Sequence, residues 1–259
     1  MRTVVLITGA STGIGAELAR VFAGHGHDLA LVARSAGKLN ALASELVAAG
    51  RPRPLVIPCD LAAPHAVDDL ADALSAADAR VAVLVNNAGY GLLGPVADLD
   101  PREQLGIVDV NVRALLDTTL RFLPDLKAAR GKILNVASVA SYMPGPGMNV
   151  YYASKHFVSA FSRALSQELK ASGVGVSVLN PGATRTDFQA RAGMANAPRL
   201  AKIGGATARS VAEAGYAGLM AGRRVIVPGL GNKLGALVLP LVPDAVVLPL
   251  VHWLQSSRR

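Results

Sequence analysis

The feature that most constrains this chain is a regular alternation of short apolar runs with amphipathic stretches between residues 3 and 180. "TVVLIT" (3–8), "DLALVA" (28–33), "PLVIP" (54–58), "VAVLVN" (81–86), "GKILNVA" (131–137) and "GVSVLN" (175–180) are rich in Val, Leu and Ile. Runs of this kind predict strands buried on both faces. Between them, "GAELARVFAGHG", "AGKLNALASELVAAG" and "PHAVDDLADALSAAD" carry helical periodicity. Strands alternating with helices predict an α/β fold, a doubly wound parallel sheet with right-handed crossovers. A seventh strand, "RRVIVP" (223–228), follows the helical "ATARSVAEAGYAGLMAG", so about seven strands are expected. No linker or repeat interrupts this order, which gives one domain over residues 1–230 and a tail over 231–259.

The first strand runs into "TGASTGIG" (8–15) and then a helix. Gly9 permits a tight turn, while Gly13 and Gly15 let backbone and helix approach a pyrophosphate. The amides at the helix start, with their partial positive charge, then face that anion. The end of the second strand reads "LVARSAGK". An acid there would bond the ribose hydroxyls of NAD, but Ala33 stands in its place, followed by Arg34 and Ser35. A planar guanidinium and a hydroxyl suit a 2′-phosphate, with Lys38 in reach to assist, so NADP(H) is the expected cofactor.

Composition removes other classes. The net charge is +8, but aromatic residues are only 4% and the basic residues are scattered, which argues against nucleic acid as a partner. A single cysteine, Cys59, excludes an internal disulfide or a multi-cysteine metal site and reads as a small buried side chain. His25 and His27 sit in a turn without a metal constellation.

The stretch "NVYYASKHF" (149–157) places two tyrosines ahead of a lysine. A proton donor with a pKa of about 10 cycles poorly near neutrality, and a neighbouring cation lowers it by about 1–3 units. On a helix Lys155 shares a face with Tyr151, four residues back, and also with Tyr152, three back. Spacing alone leaves both open.

"TGASTGIG", "NNAG" (86–89), "YYASK" (151–155) and "NPG" (180–182) together resemble the short-chain dehydrogenase/reductase family, in its compact single-domain branch. The resemblance spans residues 3 to about 186 and implies a Rossmann-type sheet. It selects Tyr151 as the proton donor. It implies that Ser138 hydrogen-bonds the substrate oxygen, that Lys155 assists Tyr151 and binds the nicotinamide ribose, and that Asn111 holds a water in a proton relay. Tyr152 is then a neighbouring helix residue that packs. Further cofactor contacts implied by matching positions are Ser11, Thr12 and Ile14 of the glycine turn, and Asp60 and Leu61 at the adenine. Asn87, Ala88 and Gly89 would lie beneath the ribose, and Pro181, Gly182, Thr184 and Thr186 at the nicotinamide.

The expected activity is reduction of a small-molecule carbonyl to an alcohol, reversible as a dehydrogenase. The alternative is a cofactor-binding regulatory or scaffold protein with the same fold. Residues past the strand ends, Tyr90, Leu92, Tyr142, Met143, Met148, Phe188 and Met194, form an apolar set that suits a lipophilic ketone, aldehyde or 3-oxoacyl group. The segment from Pro181 to Ile203 reads as a lid over that site, or as a plain surface loop. Family grounds imply a homo-oligomer, dimer or tetramer, through the helices near 101–129 and 149–171.

The tail "LGALVLPLVPDAVVLPLVHWL" (234–254) approaches the ~20 residues of a membrane span. Pro240, Pro243 and Pro249 interrupt it, and Asp244 near its middle would cost roughly 2.5–3.5 kcal/mol at a bilayer centre. Short helices packed on the domain or a partner subunit are expected first, then peripheral contact with a membrane surface. No signal-peptide pattern opens the chain, so a cytoplasmic location is expected.

Overall fold

The computed structural model describes residues 2–193 and 205–255. In chain order, β1 (Arg2–Thr8), α1 (Gly13–Gly24), β2 (Leu29–Ala33), α2 (Ala36–Ala48), β3 (Leu55–Pro58) and α3 (Ala66–Ala76) form the first half. The second comprises β4 (Ala79–Asn86), α4 (Pro101–Val108), α5 (Ala114–Ala128), β5 (Lys132–Val136), α6 (Asn149–Glu168) and β6 (Gly175–Leu179). After it come β7 (Thr184–Arg185), α7 (Phe188–Arg191), β8 (Ala206–Thr207), α8 (Ala208–Met220) and β9 (Val225–Ile226). The chain then enters the tail helices α9 (Leu230–Val238) and α10 (Asp244–Gln255).

Seven strands pair in parallel, as the apolar runs predict, and their order is β3-β2-β1-β4-β5-β6-β9. Alternate residues of β1 serve opposite faces, because side chains along a strand alternate. Val5 and Ile7 pack with Leu18 and Phe22 of α1 and Val211 and Leu219 of α8. Val4 and Leu6 pack with Leu70 and Leu74 of α3, Phe122 and Leu126 of α5, and Leu165 of α6. The chain winds outward from β1 through β2 to β3, then returns to β4 on the other side of β1. That reversal opens a crevice at the carboxyl ends of β1 and β4, the place where doubly wound sheets take ligands.

Two features lie beyond the sequence pattern. β7 and β8 pair as a separate two-stranded parallel ribbon. Between α4 and α5 the backbone loosens into a five-residue π-helical segment, Asp109–Arg113, within an otherwise continuous helix. Such single-turn widenings cluster at functional sites.

The tail forms two short helices, with the break at Leu239–Leu241 and Val242 where proline removes helix donors. Val247, Val251 and Gln255 of α10 are buried, whereas Leu230 and Leu241 are 83% and 80% exposed. One face of α10 therefore lies on the domain, and an apolar surface faces outward. Among the described residues no helix is long and apolar enough to cross a membrane.

Candidate active site

The glycine turn and the loop after β4 interlock. Gly9 and Gly13 have φ of +65° and +58°, a backbone region that side chains disfavour. A Cβ on Gly9 would lie 2.8 Å from Ala88 Cα, and one on Gly15 would strike the Gly9 carbonyl oxygen. The Thr8 hydroxyl accepts hydrogen bonds from the backbone N–H of Asn87 and of Ala88, each at 3.0 Å. Asn87 Nδ2 donates back to the carbonyls of Thr8 (2.9 Å) and Gly9 (3.2 Å). Thr8 is thus a site residue that the sequence reading passed over, although it opens the glycine motif. Ser11, Thr12 and Ile14 stand half-buried at the turn. Thr12, extended at the N-cap of α1, makes no side-chain cap bond, so the first-turn amides keep capacity for an anion.

At the end of β2, Arg34 is exposed and pairs with no carboxylate among the described residues. Ser35 does more than the sequence suggested: its hydroxyl caps α2, accepting from the Lys38 N–H at 3.4 Å. Beyond β3, Asp60 Oδ1 accepts from the Ala62 N–H at 3.1 Å, shaping a turn. Leu61 lines a small crevice with Thr8, Asn86, Ala88 and Thr118.

Beneath this crevice runs a buried polar layer. Asn86 Nδ2 donates to Thr119 Oγ1 and to Asn135 Oδ1, both at 3.0 Å, and Thr118 Oγ1 donates to Asn86 Oδ1 at 2.8 Å. Asn135 Nδ2 continues the chain to Ser162 on α6 at 2.9 Å. Satisfied networks of this kind hold neighbouring elements in one arrangement.

Asn111 sits in the π segment and is 1% exposed. Its Nδ2 donates to the Tyr90 carbonyl and to Ser154 Oγ, both at 3.0 Å, and its Oδ1 accepts from the Tyr90 N–H at 3.1 Å. Lys155, 5% exposed, donates from Nζ to the Val136 carbonyl at 2.9 Å. A Cβ on Gly89 would lie 2.9 Å from Asn111 Oδ1 and 3.3 Å from Lys155 Nζ, so all three meet. Lys155 Nζ is 5.7 Å from the centroid of the Tyr151 ring. Ser138, at the end of β5, accepts from the Ala140 N–H at 3.1 Å and faces Tyr151 closely enough to hydrogen-bond its phenol.

Burial sets the charges here. It pushes Tyr151 up to about 12, with the Ser138 hydrogen bond working the other way. It pushes Lys155 down to about 8. A phenol raised in this way holds its proton throughout the neutral range.

Of the residues expected at the nicotinamide, Thr186 lies against the glycine turn. Thr186 carbons come within 3.1 Å of a Cβ built on Gly13, and Thr186 Oγ1 accepts from the Phe188 N–H. Thr184 Oγ1 donates to the Gly182 carbonyl at 3.0 Å. Pro181 is buried, and Gly182 abuts Asn232 of α9, where a Cβ would collide. The Phe188 and Tyr151 rings lie 5.2 Å apart. Gly91 also closes on the Tyr151 ring, where a Cβ would lie 2.9 Å from Tyr151 Cδ2 and 3.1 Å from Met148 Cε. Among the other expected lining residues, the Tyr90 hydroxyl turns to the Glu103 carbonyl (2.9 Å), and the Tyr142 hydroxyl accepts from Asn180 (2.7 Å). Met194 lies outside the described residues. Ser141 is engaged with the Ser138 carbonyl, and His156 with the Tyr152 carbonyl on its own helix. The second tyrosine is held from afar: Gln255 Nε2 donates to Tyr152 Oη at 2.9 Å.

A family model described as short chain dehydrogenase matches residues 3–196. The chain belongs to this family. Among relatives of the short-chain dehydrogenases/reductases, sulfoacetaldehyde reductase 2 of Chromohalobacter salexigens is 39% identical over 191 residues, covering 73% of this chain and 75% of the relative. Serine 3-dehydrogenase of Agrobacterium fabrum is 35% identical over 189 residues, 73% and 74% of the two chains. A short-chain dehydrogenase from Sphingobium yanoikuyae, solved in complex with NADPH, matches at a TM-score of 0.82 and 32% identity, covering 96% of this chain and 95% of that one. Another from Burkholderia phymatum, in complex with NAD, has a TM-score of 0.82 at 27% identity, covering 92% of each. The uncapped first turn of α1 behind the glycine turn has free amides that suit the pyrophosphate of a dinucleotide.

Proposed function

We propose that this short-chain dehydrogenase/reductase reduces a lipophilic carbonyl compound to an alcohol with NADPH, using Tyr151 as the proton donor. The observation that carries the reading is the convergence of Asn111, Lys155 and the Gly89 backbone beside the Tyr151 ring, at the mouth of the glycine turn. When bound, NADPH supplies the hydride. The chain supplies the rest. Ser138 and Tyr151 hydrogen-bond the substrate oxygen, and the Tyr151 hydroxyl gives it a proton as the carbonyl carbon is reduced. Held at Val136, Lys155 places its ammonium where it stabilises the resulting phenolate and reaches the ribose hydroxyls. Asn111, fixed by Tyr90 and Ser154, orients the water through which the proton is replaced. Phe188 and Met148 give the substrate side its apolar character.

Gly9, Ser11, Thr12, Gly13, Ile14 and Gly15 would hold the pyrophosphate, with Asp60 and Leu61 at the adenine. Arg34, exposed and without a carboxylate partner among the described residues, supports the 2′-phosphate and so NADPH over NADH. Residues 1–230 act as the catalytic domain in this reading, within a homo-oligomer, while the tail covers one end of the site.

Titration of purified protein with NADPH and NADH, followed by nicotinamide fluorescence, tests the cofactor assignment. NADPH is expected to bind at least about tenfold more tightly, the worth of one charge-assisted hydrogen bond. Equal affinities would remove Arg34 from the site, and binding of neither would remove the enzymatic reading.

A further inference from the structure

The end of the tail carries an unexplained polar group. Gln255, the last residue of α10, is 5% exposed, and one end of its amide is bound to Tyr152 Oη. The other end, Oε1, is buried and has no hydrogen-bond partner among the described residues. A buried acceptor left unpaired costs about 1–3 kcal/mol, and methionine or leucine would pack there without it. Holding Tyr152 needs only the amide nitrogen.

The position of that oxygen gives it a use. It faces Gly147, whose Cβ would lie 3.3 Å away, with Leu93 Cδ1 3.8 Å from the same point. Gly147 and Leu93 belong to loops laced together over the site: the Gly94 N–H donates to the Gly147 carbonyl at 2.8 Å, and the Leu93 N–H to the Ala192 carbonyl at 2.9 Å. Gly91, two residues before Leu93, lies against the Tyr151 ring, and Met148, next to Gly147, places its Cε against the same glycine. The free oxygen therefore lies between the Gly147 loop and α6, beside Tyr152 and one helical position from Tyr151.

We infer that Gln255 is a substrate-recognition residue. Its free amide oxygen accepts a hydrogen bond from a hydroxyl or N–H that the substrate carries away from the reacting carbonyl. This rests on the carbonyl-reductase reading above. It narrows the substrate class from any lipophilic carbonyl compound to one with a distal donor. A site built around such a bond discriminates against the analogue that lacks it, because its own polar group is then left unpaired.

Two aldehydes of the same heavy-atom skeleton test this: 4-(hydroxymethyl)benzaldehyde and 4-ethylbenzaldehyde, each reduced with NADPH by wild type, Gln255→Met and Gln255→Glu, with melting temperatures recorded. Wild type is expected to favour the hydroxymethyl compound by about tenfold or more in kcat/KM. Gln255→Met should narrow that ratio to within about twofold by raising KM more for the hydroxymethyl compound, whereas Gln255→Glu, which keeps an acceptor, should retain the preference. No preference in wild type, or an equal loss on both aldehydes in Gln255→Met, would overturn the inference while leaving the carbonyl-reductase reading in place. If wild type turns over neither aldehyde, that reading fails and the inference falls with it. Should Gln255→Met not fold, the wild-type ratio and Gln255→Glu still decide.

Discussion

Lys155 Nζ donates to the carbonyl of Val136 at the end of β5, so the buried cation of α6 is fastened to the strand end that also leads into Ser138. The bond fixes the lysine but does not neutralise it, and burial pushes it down to about 8.

The sign of the stability effect follows. Between about pH 8 and the ordinary lysine value of 10.5 the unfolded chain binds the proton that the folded one has released, so stability rises with pH in that window. Tyr151, pushed up to about 12 from 10, acts oppositely above pH 10, where the unfolded chain loses its proton first and stability falls. Melting temperatures of wild type and Lys155→Met should therefore diverge from pH 8 to pH 10. Wild type should gain about 5 °C relative to the variant, for a linkage on the order of 2–3 kcal/mol. Parallel curves would show that Lys155 carries no burial penalty.

Arg34 sets the cofactor choice in this account. Arg34→Ala should weaken NADPH binding by about tenfold to a hundredfold and leave NADH binding within about twofold, because only the 2′-phosphate contact is lost. An equal loss for both cofactors would mean that the residue acts on the loop and not on the phosphate.

Ser154 acts through Asn111. Its hydroxyl accepts from Asn111 Nδ2 and donates to the Tyr151 carbonyl at 2.7 Å. Ser154→Ala should cost about 1 kcal/mol of stability and lower kcat several-fold with KM for NADPH unchanged, since Asn111, which orients the relay water in the proposed mechanism, loses a fixed acceptor. Restoration by Ser154→Thr would support a positioning role; a change in KM alone would not.

Much of this was legible in the residues. The inner strands could be placed because parallel strands covered on both faces are continuous apolar runs, the edge strands β3 and β9 by their Val, Ile and Leu content although they are less buried, and the glycine turn because only glycine fits Gly9 and Gly13. Tyr151 was chosen over Tyr152 by resemblance, since helical spacing admits both. Other parts left no local signal. The π segment around Asn111 differs from an α-helix by a single loosened turn. The partners Asn86, Thr118, Thr119, Asn135 and Ser162 look in sequence like ordinary polar positions of strands and helices, and only the fold brings them together. β7 and β8, two residues each, are too short for periodicity to register. The Gln255–Tyr152 bond joins residues 103 apart, which no spacing rule reaches.

The central claim is that Tyr151 donates the proton. The most direct measurement pairs NADPH binding with steady-state reduction of one accepted carbonyl compound in Tyr151→Phe. NADPH affinity is expected to stay within about twofold of wild type and kcat to fall by about 10²–10⁴, the usual worth of a general acid. Turnover within about threefold of wild type, with binding intact, would contradict it and shift the proton to another group.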